Sequence, residues 1–199
     1  MHAFFALVDR LSTAGADERT RLEAEIWDRF GVEKALLALD MSHFSLSVRR
    51  SGILFYLALI RRMHALTAPM VVMHRGAVVK YEADNLLAVF DEPADAVRAA
   101  IAIHQVIVRG EERFEVAMGI DYGRLLLVDG SDCYGDAVNV ACKLGEDVAQ
   151  AGEILLTEAA SARLAGRFEL KPQSVSISGI ELRAFSVVPP NKPQDNTKT

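Results

Sequence analysis

The feature that most constrains this chain is a run of five apolar residues, ALLAL at 35–39, that stops at Asp40. Five residues are too few for a buried helix, and the run shows no polar alternation. It reads as a strand covered on both faces. Such a strand needs a packed layer on each side, which calls for a layered fold. The segments that follow supply the layers. A long helical stretch occupies roughly 48–72, with Pro69 expected to kink or divide it. Residues 76–82 and 86–90 read as two strands joined by the tight turn Ala83-Asp84-Asn85. Pro93 opens a helix over about 93–109, whose Ala96, Ala100, Ile103 and Ile107 share one face. Strands are expected at about 114–121 and 124–128, and a helix at about 136–149. The strand EILLT at 153–157, a short helix and a β-rich stretch near 167–188 complete the core.

The order strand, helix, strand, strand, helix, strand defines an α+β chain with a ferredoxin-like, split βαβ core. In that topology the first two strands run parallel with the third between them. The end of the first strand then lies beside the turn joining the second and third. Asp40 marks the one place and Asp84 the other, so two carboxylates far apart in sequence become neighbours.

Composition narrows the partners. The 199 residues suit one core with terminal additions. A net charge of −5 implies no basic face, which argues against nucleic acid. The longest apolar run, 53–60, falls far short of the ~20 residues that span a bilayer, so no membrane span is expected. The N-terminus lacks the basic residues that open a secretion signal. With only Cys133 and Cys142 as thiols, the reading is a reducing cytoplasm and no disulfide framework. The five histidines show no metal-type spacing. Residues 1–31 form a helical extension broken at Gly15, with Leu22, Ile26 and Phe30 at helical spacing and Gly31 at its end. It is expected to pack on the domain or on a partner subunit. The domain proper is expected over 32–189, and 190–199 is a polar tail.

Two aspartates at adjacent strand ends suit hard cations such as magnesium or manganese. Two such ions bridge a triphosphate and activate a hydroxyl for in-line attack on phosphorus. Asp also caps helices and serves turns, so the pair alone leaves both readings open. The segment DCYGDAVNVACK at 132–143 adds weight: Asn139 and Lys143 fall on one helix face, an amide and a cation suited to a ribose and a phosphate.

Three blocks in order, LALDMSHFS at 37–45, VVKYEADNLLAVF at 78–90 and DCYGDAVNVACKLGEDVAQAGEILLT at 132–157, make the chain resemble the class III adenylyl/guanylyl cyclase catalytic domains from about 33 to 188. The resemblance implies residue roles. Asp40 and Asp84, with the Met41 carbonyl, are the ligands of two Mg²⁺ or Mn²⁺ ions per site. Lys80 and Asp132 read the base, Phe44 contacts the substrate, and Asn139 orients the ribose. Lys143 stands where the family has a transition-state arginine. It implies an adenylate cyclase that turns ATP into 3′,5′-cyclic AMP and pyrophosphate, with two sites built across a homodimer and room for an upstream regulatory partner. A donor-only Lys and an acceptor-only Asp complement the adenine edge, and guanine reverses that pattern. Cytosine shows the same order as adenine, so only pocket size excludes it. Lys80 and Asp84 lie too close in sequence to serve one nucleotide from one chain, which is why two chains are needed.

The departures are Ala83 for a family glycine, Lys143 for arginine, Ser178 at a phosphate-contacting lysine position and a short stretch between Gly123 and Asp132. The last three keep two alternatives open: a silent nucleotide-binding or dimerisation module, and weak turnover. A cyclase for CTP or GTP is the remaining alternative.

Overall fold

A computed structural model describes residues 1–42, 52–110, 112–177 and 179–188. Two helices, α1 (His2–Thr13) and α2 (Ala16–Phe30), precede strand β1 (Gly31–Met41). Helix α3 (Ile53–Met73) leads to the hairpin of β2 (Ala77–Glu82) and β3 (Asn85–Phe90), and α4 (Pro93–Arg109) leads to the long strand β4 (Val116–Val128). A short β5 (Asp132–Tyr134) turns into α5 (Asp136–Lys143). A wider π-helical turn, Leu144–Val148, continues it. Then come β6 (Ile154–Thr157), α6 (Glu158–Ala162), β7 (Leu170–Ile177) and β8 (Ile180–Val187). The expected polar tail, Phe44 and Ser178 lie outside the described residues.

The sheet runs β2-β3-β1-β4-β6-β8-β7, with β5 paired to β4. β3 lies antiparallel between β2 and β1, so β1 and β2 are parallel, as the split βαβ pattern requires. Alternate residues of β1 face opposite layers. Ala35, Leu37, Leu39 and Met41 pack under α3 and α4, and Leu36 and Ala38 pack under α5. Leu36, Leu37 and Leu39 are essentially inaccessible. Each stabilises the fold by about 1.5–3 kcal/mol. That is the physical reason for the unbroken apolar run.

Three boundaries differ from expectation. β4 is continuous through Tyr122 and Gly123, because these pair with Ala35 and Lys34 along the full length of β1. β1 itself starts at Gly31, and its first four residues carry little apolar signal because Val32 is the one apolar side chain among them that packs against the core. Gly31 is an extended residue with φ −73°, and glycine is needed there for space: a Cβ would sit 2.3 Å from the Trp27 carbonyl oxygen. Third, the helix after β5 stops at Lys143 and widens. Its backbone lies directly on β4, where a Cβ on Gly119 would meet the Ala141 carbonyl oxygen at 2.2 Å and the Gly145 nitrogen at 2.6 Å. Widening the turn accommodates that approach.

The N-terminal helices pack on this same chain. Phe4, Leu7, Leu22 and Ile26 form a cluster with Val128 at the far end of β4. Among the described residues no helix is long and apolar enough to cross a membrane.

Candidate active site

Asp40 is the last outward-facing residue of β1 before Met41, and it pairs across the ladder with Asn85. The residue before Asn85 is Asp84, so the hairpin turn delivers its carboxylate to the end of β1. Ala83 holds that turn at φ 51°, a left-handed conformation that favours glycine. Helix α3 grips the turn from below. The buried Tyr56 hydroxyl donates to Asp84 Oδ2 at 3.0 Å. Nothing in local sequence pattern signals Tyr56, which reads as one more core residue of an apolar helix.

Like charges crowd Asp40. Burial first, then Asp84, Glu146 and Asp147, push its carboxyl up from 3.8 to about 7, against the Met41 amide that donates to it. Glu146 accepts from the Asn85 side-chain amide at 3.2 Å, and Asn85 Oδ1 is buried without a hydrogen-bond partner among the described residues. The place is thus rich in hard oxygens and short of positive charge, which fits a divalent cation. Among the described residues no three His, Cys, Asp or Glu side chains form a closed metal cage. An open pair of carboxylates is what magnesium favours when substrate phosphates complete its shell.

Lys80 sits directly after a fault in the strand. Val78 pairs with Ala88, yet Lys80 pairs with Leu87, so Val79 is an extra residue in β2. Strict alternation would put Lys80 on the opposite face from Val79. The bulge instead keeps both on the α5 side, where Val79 packs with Leu36 and Val138. There Lys80 Nζ lies 3.0 Å from Asp132 Oδ1 and 3.3 Å from Glu82 Oε2. These acids raise the ammonium pKa, Asp132 most. Asp132 also accepts from the Cys133 amide at 2.9 Å and the Tyr134 hydroxyl at 2.7 Å. Its own carboxyl is held below the usual range. Partial burial works against that lowering, and the donors of Tyr134, Lys80 and Cys133 outweigh it.

A cleft of about 260 Å³ opens beside Lys80, lined also by Asn85, Leu87, Tyr134, Val138 and Cys142. A larger hollow of about 350 Å³ lies between α3 and α4, and none of the carboxylates above line it. The larger hollow and the charged groups are therefore in different places, and the candidate chemistry lies with the charged groups. Asn139 is exposed on α5. One turn on, Lys143 lies 3.5 Å from Asp147. The structure thus brings Asp40 to the Asp84 turn and joins Lys80 to Asp132. Asn139 and Lys143 stand one turn apart on the surface of α5. Tyr56 and Tyr134 were missed by sequence reasoning; for Tyr134 the signal was available, since it lies two residues past Asp132 in a strand and so shares its face.

No family model matches the chain. Over 142 residues, 68% of this chain, it is 29% identical to a curated protein of Rhizobium meliloti (strain 1021) named "Putative adenylate cyclase 3". That match spans only 24% of the longer relative. Among solved structures, an adenylate/guanylate cyclase/hydrolase from Silicibacter pomeroyi is 29% identical with a TM-score of 0.66, over 80% of this chain and 98% of that one. The catalytic core of a rhodopsin-guanylyl cyclase with converted specificity, solved with ATPαS, superposes with a TM-score of 0.72 over 80% of this chain and 97% of that one. At 19% identity it speaks for the fold alone. The fold is that of nucleotide cyclase catalytic domains. In sequence as well as in fold, the chain is similar to the class III adenylyl/guanylyl cyclase catalytic domains.

Proposed function

We propose that this chain is an adenylate cyclase, forming 3′,5′-cyclic AMP and pyrophosphate from ATP, with residues 32–189 as the catalytic domain and 1–31 as an N-terminal extension. The observation that carries the reading is the Lys80–Asp132 contact beside a cleft, on the sheet face that also carries Asp40. Lys80 donates to the adenine ring nitrogen and Asp132 accepts from its amino group. Asp40 and Asp84, with the Met41 carbonyl, would hold magnesium or manganese, two per site, which would supply charge neutralisation and lower the pKa of the ribose hydroxyl. Asn139 orients the ribose and Lys143 faces the phosphates. Phe44 contacts the substrate in this reading. Because Lys80 and Asp84 are four residues apart on one hairpin, the reading requires a homodimer in which each nucleotide touches the metal carboxylates of one chain and the base pair of the other.

A second reading, a slow or silent nucleotide-binding module, draws support from Lys143. It replaces a bidentate guanidinium with a point charge, and that charge is already engaged by Asp147. Incubation of the purified protein with manganese and each of the four triphosphates, with mass detection of cyclic products, decides between them. Cyclic AMP and pyrophosphate in equal amounts support the cyclase. ATP binding without either product supports the silent module, and a dominant product from CTP or GTP reassigns the base.

A further inference from the structure

Asp132 is heavily committed before any nucleotide arrives. Its Oδ1 accepts from Lys80 and from the Cys133 amide, and its Oδ2 accepts from Tyr134. A carboxylate offers about four lone-pair sites, so Oδ1 is full and Oδ2 keeps one. The phenol decides where that last lone pair points. Tyr134 is itself held from the N-terminal extension. The Phe4 ring stacks on it with centroids 5.6 Å apart and planes 7° from parallel, and Phe5 meets it edge-on at 6.4 Å. Phe4 is anchored in turn against Phe30 at 5.1 Å and is almost fully buried. An unbroken line of contacts therefore runs from α1 through Phe4, Tyr134 and Asp132 to Lys80.

We infer that Tyr134 is a positioning residue that sets the base-reading carboxylate, and that helix α1 is the brace that holds Tyr134 in place. This rests on the base-reading role proposed for Lys80 and Asp132. The remaining lone pair of Oδ2 accepts a donor such as the adenine amino group, and it repels the carbonyl oxygen that guanine presents there. Carboxylate rotation about χ2 is soft, so without the phenol the acceptor loses its fixed direction and discrimination falls. Lifting α1 off Tyr134 has the same effect while leaving Asp40 and Asp84 untouched. The N-terminal helices thus have a route into base recognition that bypasses the metal carboxylates.

Tyr134→Phe keeps the ring and its stacking and removes only the hydroxyl. Binding of the fluorescent analogues mant-ATP and mant-GTP to the full chain, with calcium to hold the phosphates, reads the base preference without turnover. Tyr134→Phe is expected to weaken mant-ATP about threefold to tenfold and to change mant-GTP by less than about twofold, as loss of one charge-assisted hydrogen bond implies. Phe4→Leu is expected to shift the ratio the same way by a smaller factor. In turnover, the KM for ATP rises with kcat little changed. If Lys80→Ala loses its ATP preference but Tyr134→Phe keeps it, or weakens both nucleotides equally, the positioning role is overturned and the base-reading assignment survives. Unchanged preference in Lys80→Ala sinks both. Wild-type discrimination in Phe4→Leu, with discrimination lost in Tyr134→Phe, removes α1 from the line.

Discussion

Replacing Asp40 by Asn is expected to stabilise the metal-free protein, a counterintuitive outcome for a residue at the heart of the site. The Asp40 carboxyl titrates near 7 in the fold against 3.8 in the open chain. Between those values the folded protein holds a proton that the unfolded chain has released. Stability therefore falls as pH rises from about 4 to about 7, and the full penalty persists above that. Three units correspond to a ceiling of roughly 4 kcal/mol. Asp40 is only half buried, so solvent screening reduces this to about 1–2 kcal/mol. Asn is isosteric, keeps an acceptor for the Met41 amide and carries no charge. In EDTA at pH 8, Asp40→Asn is expected to melt about 3–6 °C above wild type. At pH 4, close to the open-chain value of 3.8, most of that gap should close. Millimolar manganese should reverse the order, because binding stabilises only the chain that retains the carboxylate. Thermal melts by circular dichroism at both pH values, with EDTA or manganese, test all three arms. A variant less stable than wild type at pH 8 in EDTA, or an equal gap at both pH values, refutes the like-charge account.

The remaining predictions concern the frame and the assembly. Ala83→Gly relieves a left-handed residue at φ 51°. Relief of roughly 1–2 kcal/mol, offset by the added chain entropy of glycine, leaves a net gain of about 0.5–1 kcal/mol, readable as a higher melting temperature. Gly119→Ala forces a Cβ into the backbone of α5 and Gly145. It should cost about 2–3 kcal/mol in urea unfolding, and an unchanged midpoint would mean that α5 does not rest on β4 as described. Lys80→Ala and Asp84→Ala should each be inactive alone, and mixing them under subunit exchange should restore up to about a quarter of wild-type turnover, the share of intact sites in random dimers. Heterodimers that form and stay silent would falsify the shared site.

Much of this architecture is legible in the residues. The run at 35–39 names a strand buried on two faces, and the order of elements names the core. The topology then brings Asp40 to Asp84. What escapes sequence reading is set by backbone contacts between distant segments. Of the first residues of β1 only Val32 is apolar, so the ladder with β4, rather than any local pattern, makes them strand. The widening after Lys143 answers to the proximity of β4, which no local propensity encodes. Tyr56 looks like any apolar helix residue until the hairpin turn arrives above it.

The bulge at Val79 reaches beyond geometry. Val79 and Lys80 share the α5 face because β2 contains one residue more than its partner strand. Deleting Val79 would close the ladder with Lys80 still opposite Leu87, so the lysine would keep its place beside Asp132 and the strand would lose only the apolar side chain that packs with Leu36 and Val138. A residue added or removed between Lys80 and the hairpin turn is a different matter, because the pairing with Leu87 then shifts by one and the ammonium turns toward the layer of α3 and α4. The bulge thus makes one side of the lysine tolerant of a change in length and leaves the other side intolerant.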